Sequence, residues 1–120
     1  MKMIQSKVIQ PQEVWFAKFP FDEDETQSKD RPVIVLAVDD EMCSVLSLKI
    51  TSTPPYSEFE IELFDWAQIP LSHISTADVS SAKFILKTDF HRKIGKLSDD
   101  DWDNVTDLYT RYLQSTGDNI

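Results

Sequence analysis

Three side chains carry the chemistry this sequence can be read to offer: Arg31, which stands between a polar acidic stretch and an apolar run, and the hydroxyl pair Thr51 and Ser52. A guanidinium is planar, stays charged, and grips a phosphate through two parallel hydrogen bonds. Hydroxyls at the end of a neighbouring strand could donate to the non-bridging oxygens of the same phosphate. Together they would form an electrostatic site for a phosphoryl-type transition state, with no metal and no covalent intermediate. Read alone, the same residues could equally begin one strand and end another.

Other candidates are weaker. Asp22-Glu23-Asp24-Glu25-Thr26 fits the D-x-D-x-T pattern of aspartyl-phosphate phosphatases. Those enzymes need a parallel sheet with crossover helices, and this chain shows one convincing helix. A solvated acidic hairpin loop, at most a weak Mg²⁺ binder, is the better reading. His73 and His91 have no Cys or second His at ligand spacing, so they read as structural, and neither metal nor cofactor is expected. No nucleophile–base–orienter triad stands out. Cys43 cannot pair within the chain and lies in the run Met42 to Leu48, where it reads as a reduced, strand-buried thiol.

The elements that must position these residues are short. Glu13 to Phe19, Pro32 to Val38, Cys43 to Ile50, Phe59 to Phe64 and Ala82 to Leu86 read as strands, separated by turn signals such as Asp39-Asp40-Glu41 and Thr53-Pro54-Pro55. Ser98 then reads as the N-cap of a helix whose first turn holds Asp99, Asp100 and Asp101. Asp101 can complete a capping box, and Leu97 with Trp102 can form a hydrophobic staple. Trp102, Val105, Leu108, Tyr109, Tyr112 and Leu113 follow helical spacing, so one stripe should pack on the sheet as core, with Gly117 just past the helix end. The expectation is a single mainly β domain with a C-terminal helix, its core about residues 11–114, built as a small barrel or curled antiparallel sheet.

Composition sets limits on function. The 120 residues can bury a core without disulfide or metal, and no apolar run has the length of a signal peptide or a membrane span, which reads as a cytoplasmic protein. A net charge of −9 weighs against nucleic acid, because polyanion binding depends on cations displacing counterions. From Lys83 to Lys96, however, Lys83, Lys87, Arg92, Lys93 and Lys96 face the single acid Asp89, so one basic face on an acidic body is compatible with the sequence. Scattered solvated lysines on strand edges would read the same way.

In order and spacing these pieces resemble the PemK/MazF family of toxin endoribonucleases. The resemblance rests on Val14-Trp15-Phe16 through Phe19-Pro20-Phe21, then Arg31-Pro32-Val33-Ile34-Val35-Leu36, Lys49-Ile50-Thr51-Ser52, and Asp89-Phe90 through Ile94-Gly95-Lys96-Leu97-Ser98-Asp99. It implies an SH3-like barrel of the CcdB/PemK type that forms a homodimer, binds a cognate antitoxin protein and holds single-stranded RNA in a groove near the dimer interface. It also implies metal-independent cleavage, in which a ribose 2′-OH attacks the adjacent phosphate and leaves a cyclic phosphate and a 5′-hydroxyl. Arg31 would stabilise the phosphorane and take part in proton transfer, Thr51 would orient the phosphate and Ser52 would assist. Lys29, Lys49, Lys83 and Lys87 are the expected RNA contacts. The rival expectations on the same barrel are a CcdB-like toxin that binds gyrase without cleaving anything, or an inactive homologue serving protein partners.

Overall fold

The computed structural model describes residues 8–21, 24–69 and 71–116. Six strands, β1 (Glu13–Pro20), β2 (Ser28–Asp39), β3 (Ser44–Thr51), β4 (Glu60–Leu63), β5 (Ser75–Leu86) and β6 (Phe90–Lys96), precede one helix, α1 (Asp99–Ser115). They form one antiparallel sheet in the order β4-β5-β3-β2-β1-β6. The fold is therefore mainly β with a C-terminal helix, as the pattern of short runs suggests. Hydrogen bonding does not close the sheet among the described residues; it curls. A Cβ at Gly95 of β6 would stand 3.0 Å from the carbonyl oxygen of Ile69, so the backbone following β4 lies directly against β6 where only glycine fits easily.

Both faces of the central strands are buried. Val14, Ile34, Leu48, Ile50, Leu63, Ala77 and Val79 meet Leu97, Val105 and Leu108 beneath the helix. The alternate positions Trp15, Ala17, Phe19, Val33 and Val35 pack with Val45, Ile85 and Phe90 in a second cluster. There the Trp15 and Phe90 rings meet edge to face at 5.9 Å. Period-two alternation thus feeds two cores, which explains why Val33-Ile34-Val35 reads as a continuous apolar run.

Several details differ from the sequence reading. β5 begins at Ser75, seven residues before the expected start at Ala82, because Ser75 and Thr76 are buried through hydrogen bonds rather than apolar contact. β6 was not expected at all. It is an edge strand whose burial is confined mainly to Phe90, so it carries no alternation. Cys43 is exposed and not in a strand: it sits in the turn before β3 with φ of 53°, the left-handed conformation that the tight turn imposes. The sheet is antiparallel throughout, which removes the phosphatase reading. Asp24 instead accepts the Thr26 N–H at 3.0 Å and its hydroxyl at 2.6 Å, a local turn, while Asp22 and Glu23 lie outside the described residues.

The helix starts as its caps dictate. Ser98 Oγ accepts the Asp101 N–H at 3.1 Å. The capping box is only half formed, because the Asp101 side chain turns away from the helix to accept the N–H groups of Phe64 at 3.0 Å and Asp65 at 2.9 Å. Leu97 and Trp102 join the same core, and Tyr112 meets Phe59 edge to face at 5.1 Å. Leu113 falls off the packed stripe and is 45% exposed. Gly117 lies outside the described residues.

Candidate active site

Arg31 belongs to β2 and stands across from Ala17 of β1. Thr51 ends β3. The last cross-strand pair near this end of the β2–β3 ladder is Val33 with Lys49, and Arg31 and Thr51 each stand two residues beyond it. Antiparallel geometry therefore sends both to the same end of the sheet, where a groove of about 500 Å³ opens. Its walls are Phe16, Lys29 to Pro32, Ile50 to Thr53, and Leu71, Ser72, His73 and Ser75 from the loop into β5. Arg31, Thr51, Ser52 and Lys29 are thus brought together.

The groove has an unfilled demand for an acceptor. Arg31 Nε is buried and donates to nothing among the described residues. A buried donor left unmade costs about 1–3 kcal/mol, a cost that an anionic ligand in the groove would relieve. The hydroxyl side is held firmly by contrast. Thr51 Oγ1 lies 3.2 Å from Thr53 Oγ1, and buried Thr76 donates its hydroxyl to the Thr53 carbonyl at 2.6 Å, tying this turn to β5. Asp30, the carboxylate among the lining residues, is 3.0 Å from His91 Nε2 on β6 and so is drawn toward that strand.

The remaining expected RNA contacts are elsewhere. Lys49 lies 4.0 Å from Asp78, Lys83 lies 4.0 Å from Glu25 and over the Phe19 ring, and Lys87 binds Asp40 at 2.6 Å; none of the three lines the groove. The hydrogen bond to Asp40 holds the Lys87 pKa above its ordinary value. The basic stretch is likewise shared out: Lys93 pairs with Glu13 at 2.9 Å, and Arg92 stacks over Phe16 with its guanidinium carbon 5.5 Å from the ring centre. The carboxylates of the Lys83–Glu25 and Lys87–Asp40 pairs are exposed, and surface pairs of this kind contribute little, so a polyanion could compete with those two carboxylates.

Sequence reasoning passed over Phe16 and Asp30 and read His73 and His91 as structural. Phe16 brings an aromatic face to the groove, flanked by Arg92 and by His91, whose ring centre is 6.1 Å away. Neither histidine has a spacing signal: His91 meets Asp30 of β2, and the loop after β4 carries His73 to residues of β2 and β3. Both are exposed.

Residues 10–110 match the family model for the PemK-like, MazF-like toxin of type II toxin–antitoxin systems. No curated protein sequence matches. Among solved structures, a crystal structure of MazF from Deinococcus radiodurans superimposes with a TM-score of 0.73 at 14% identity, over 90% of this chain and 98% of that one. The Mycobacterium tuberculosis toxin MazF-mt6 gives 0.67 at 20% identity, over 85% and 96%. An endoribonuclease in complex with its cognate antitoxin, from a mycobacterial species, gives 0.71 at 9% identity, over 89% and 96%.

Proposed function

Because the chain belongs to the PemK-like, MazF-like toxin family of type II toxin–antitoxin systems, we propose that it is a metal-independent endoribonuclease that cuts single-stranded RNA selectively by sequence and is held in check by a cognate antitoxin in the cytoplasm. The observation that carries this reading is the buried, unpartnered Arg31 Nε in a groove shared with Thr51 and Ser52. A phosphodiester supplies the acceptor that Nε lacks.

The chemistry follows from charge. Attack of a ribose 2′-oxygen on phosphorus places additional negative charge on the non-bridging oxygens, and the fixed guanidinium meets that charge without reorganising. Thr51, braced through Thr53 and Thr76, donates to the same phosphate and sets its orientation, with Ser52 beside it. Lys29 draws the strand into the groove, and Lys49, Lys83 and Lys87 extend the track by exchanging their carboxylate partners for phosphates. Two chains associate as a symmetric homodimer that covers sheet edges and lengthens the RNA groove.

The test is end-group analysis. Purified protein, incubated with long single-stranded RNA in EDTA at low salt, should leave 2′,3′-cyclic phosphate and 5′-hydroxyl ends at a restricted set of sites. Intact RNA under those conditions overturns the nuclease reading and leaves a non-catalytic binding protein on the same fold.

A further inference from the structure

The groove contains an imidazole as well as an anion clamp. His73 lines it together with Arg31 of β2 and Thr51 of β3, from the loop between β4 and β5. Its Nδ1 lies 2.7 Å from Ser72 Oγ, and Nε2 has no partner among the described residues. Its backbone is fixed as well, because buried Ser75 donates its hydroxyl to the His73 carbonyl at 2.9 Å. One ring nitrogen is therefore engaged and the other is left for a ligand, the arrangement by which a neighbour selects the tautomer of a working histidine.

Cleavage by a 2′-oxygen needs a group that removes the 2′-OH proton. Arg31 cannot serve, since a guanidinium does not give up its proton in the working range. The other charged groups lining the groove are Lys29 and Asp30, and Asp30 is taken up by His91 of β6. Imidazole is the side chain that ordinarily changes charge between about pH 5 and 8. We infer that His73 is the proton acceptor of the reaction, with Ser72 as its positioning residue. With Nδ1–H donated to Ser72 Oγ, Nε2 takes the 2′-OH proton as the 2′-oxygen forms its bond to phosphorus. The P–O5′ bond then breaks with its electron pair on O5′, which takes a proton from water, and the imidazolium returns its proton to solvent.

This inference rests on the ribonuclease reading, and its test separates the two. Single-turnover cleavage is measured for wild type, His73→Ala and Ser72→Ala from about pH 5 to 9, with and without free imidazole. His73→Ala should lose roughly 10²-fold or more in maximal rate, the usual worth of general-base catalysis, together with the acid limb of the pH profile. Free imidazole should restore part of its rate while leaving wild type unchanged. Ser72→Ala should keep the acid limb at a reduced rate. If wild type cleaves and a folded His73→Ala keeps its rate and acid limb, or loses activity that imidazole does not restore, the base assignment falls and the nuclease reading stands. A wild type that leaves RNA intact overturns both.

Discussion

Asp101 Oδ1 accepts the backbone N–H of Phe64 at 3.0 Å and so joins the first turn of α1 to the end of β4. Its other oxygen accepts the Asp65 N–H at 2.9 Å, and the side chain is 1% exposed. Replacing it with Ala leaves two part-buried donors unmade, so Asp101→Ala should destabilise by about 2–3 kcal/mol, whereas Ser98→Ala, which removes one cap bond, should cost about 1 kcal/mol. Urea titration of both variants checks the order. A smaller loss for Asp101→Ala than for Ser98→Ala would contradict the docking role of this carboxylate.

Glu13 predicts an acid-side dependence of stability. Burial works to raise its pKa, but hydrogen bonds from Trp15, Lys93 and the Gln10 backbone, with the charge of Lys93, together hold it below the ordinary 4.5. A depressed folded-state pKa means that the unfolded chain binds the proton more readily. Glu13 therefore contributes stability that is fully present above pH 4.5 and is lost as pH falls through the lower folded value. Glu13→Gln should flatten the stability curve in that acid window. An unchanged slope below pH 5 would show that the Trp15–Glu13–Lys93 contacts do not persist in solution.

Gly95→Ala tests how the curled sheet holds its edges together. The new methyl would meet the Ile69 carbonyl oxygen at 3.0 Å, and backbone cannot move aside as a flexible side chain would. Overpacking of this kind should cost about 1–3 kcal/mol, read as a lower midpoint in thermal or urea unfolding. A stability equal to wild type would mean that β6 stands away from the chain after β4.

What the sequence disclosed depended on which interactions leave a pattern. The helix was legible because caps and a 3.6-residue stripe are local, and β1 to β4 because apolar alternation survives in strands packed on a core. β6 left no trace: an edge strand of the sequence Phe90-His-Arg-Lys-Ile-Gly-Lys96 buries little. The first half of β5 was hidden because Ser75, Thr76 and Ser81 are buried by hydrogen bonding, which composition does not report. In the groove, Arg31 and Thr51 became candidates through the family resemblance, since read alone they could as well begin one strand and end another. His73 was read as structural because the loop after β4, not a sequence spacing, brings it to the groove, and Phe16 was missed because its face is defined by Arg92 across the β1–β6 pairing.

Assembly is open to a direct measurement. Among the described residues β4 and β6 are the outer strands of the sheet, and strand edges invite an isologous contact. Light scattering at tens of micromolar should give the mass of two chains. A strict monomer would remove the extended groove from the account.

The most direct measurement is the single-turnover cleavage rate of wild type, Arg31→Ala, Arg31→Lys and Thr51→Ala on the same RNA, with binding measured in parallel. If Arg31 meets charge that develops only in the transition state, Arg31→Ala should lose roughly 10²–10³ in rate with far less change in RNA affinity. Arg31→Lys should recover little, because a point charge does not reproduce the planar fork, and Thr51→Ala should be impaired less severely. Rates for Arg31→Ala within a few-fold of wild type, or a loss seen wholly in binding, would contradict the claim that Arg31, with its unpartnered Nε, is the centre of catalysis.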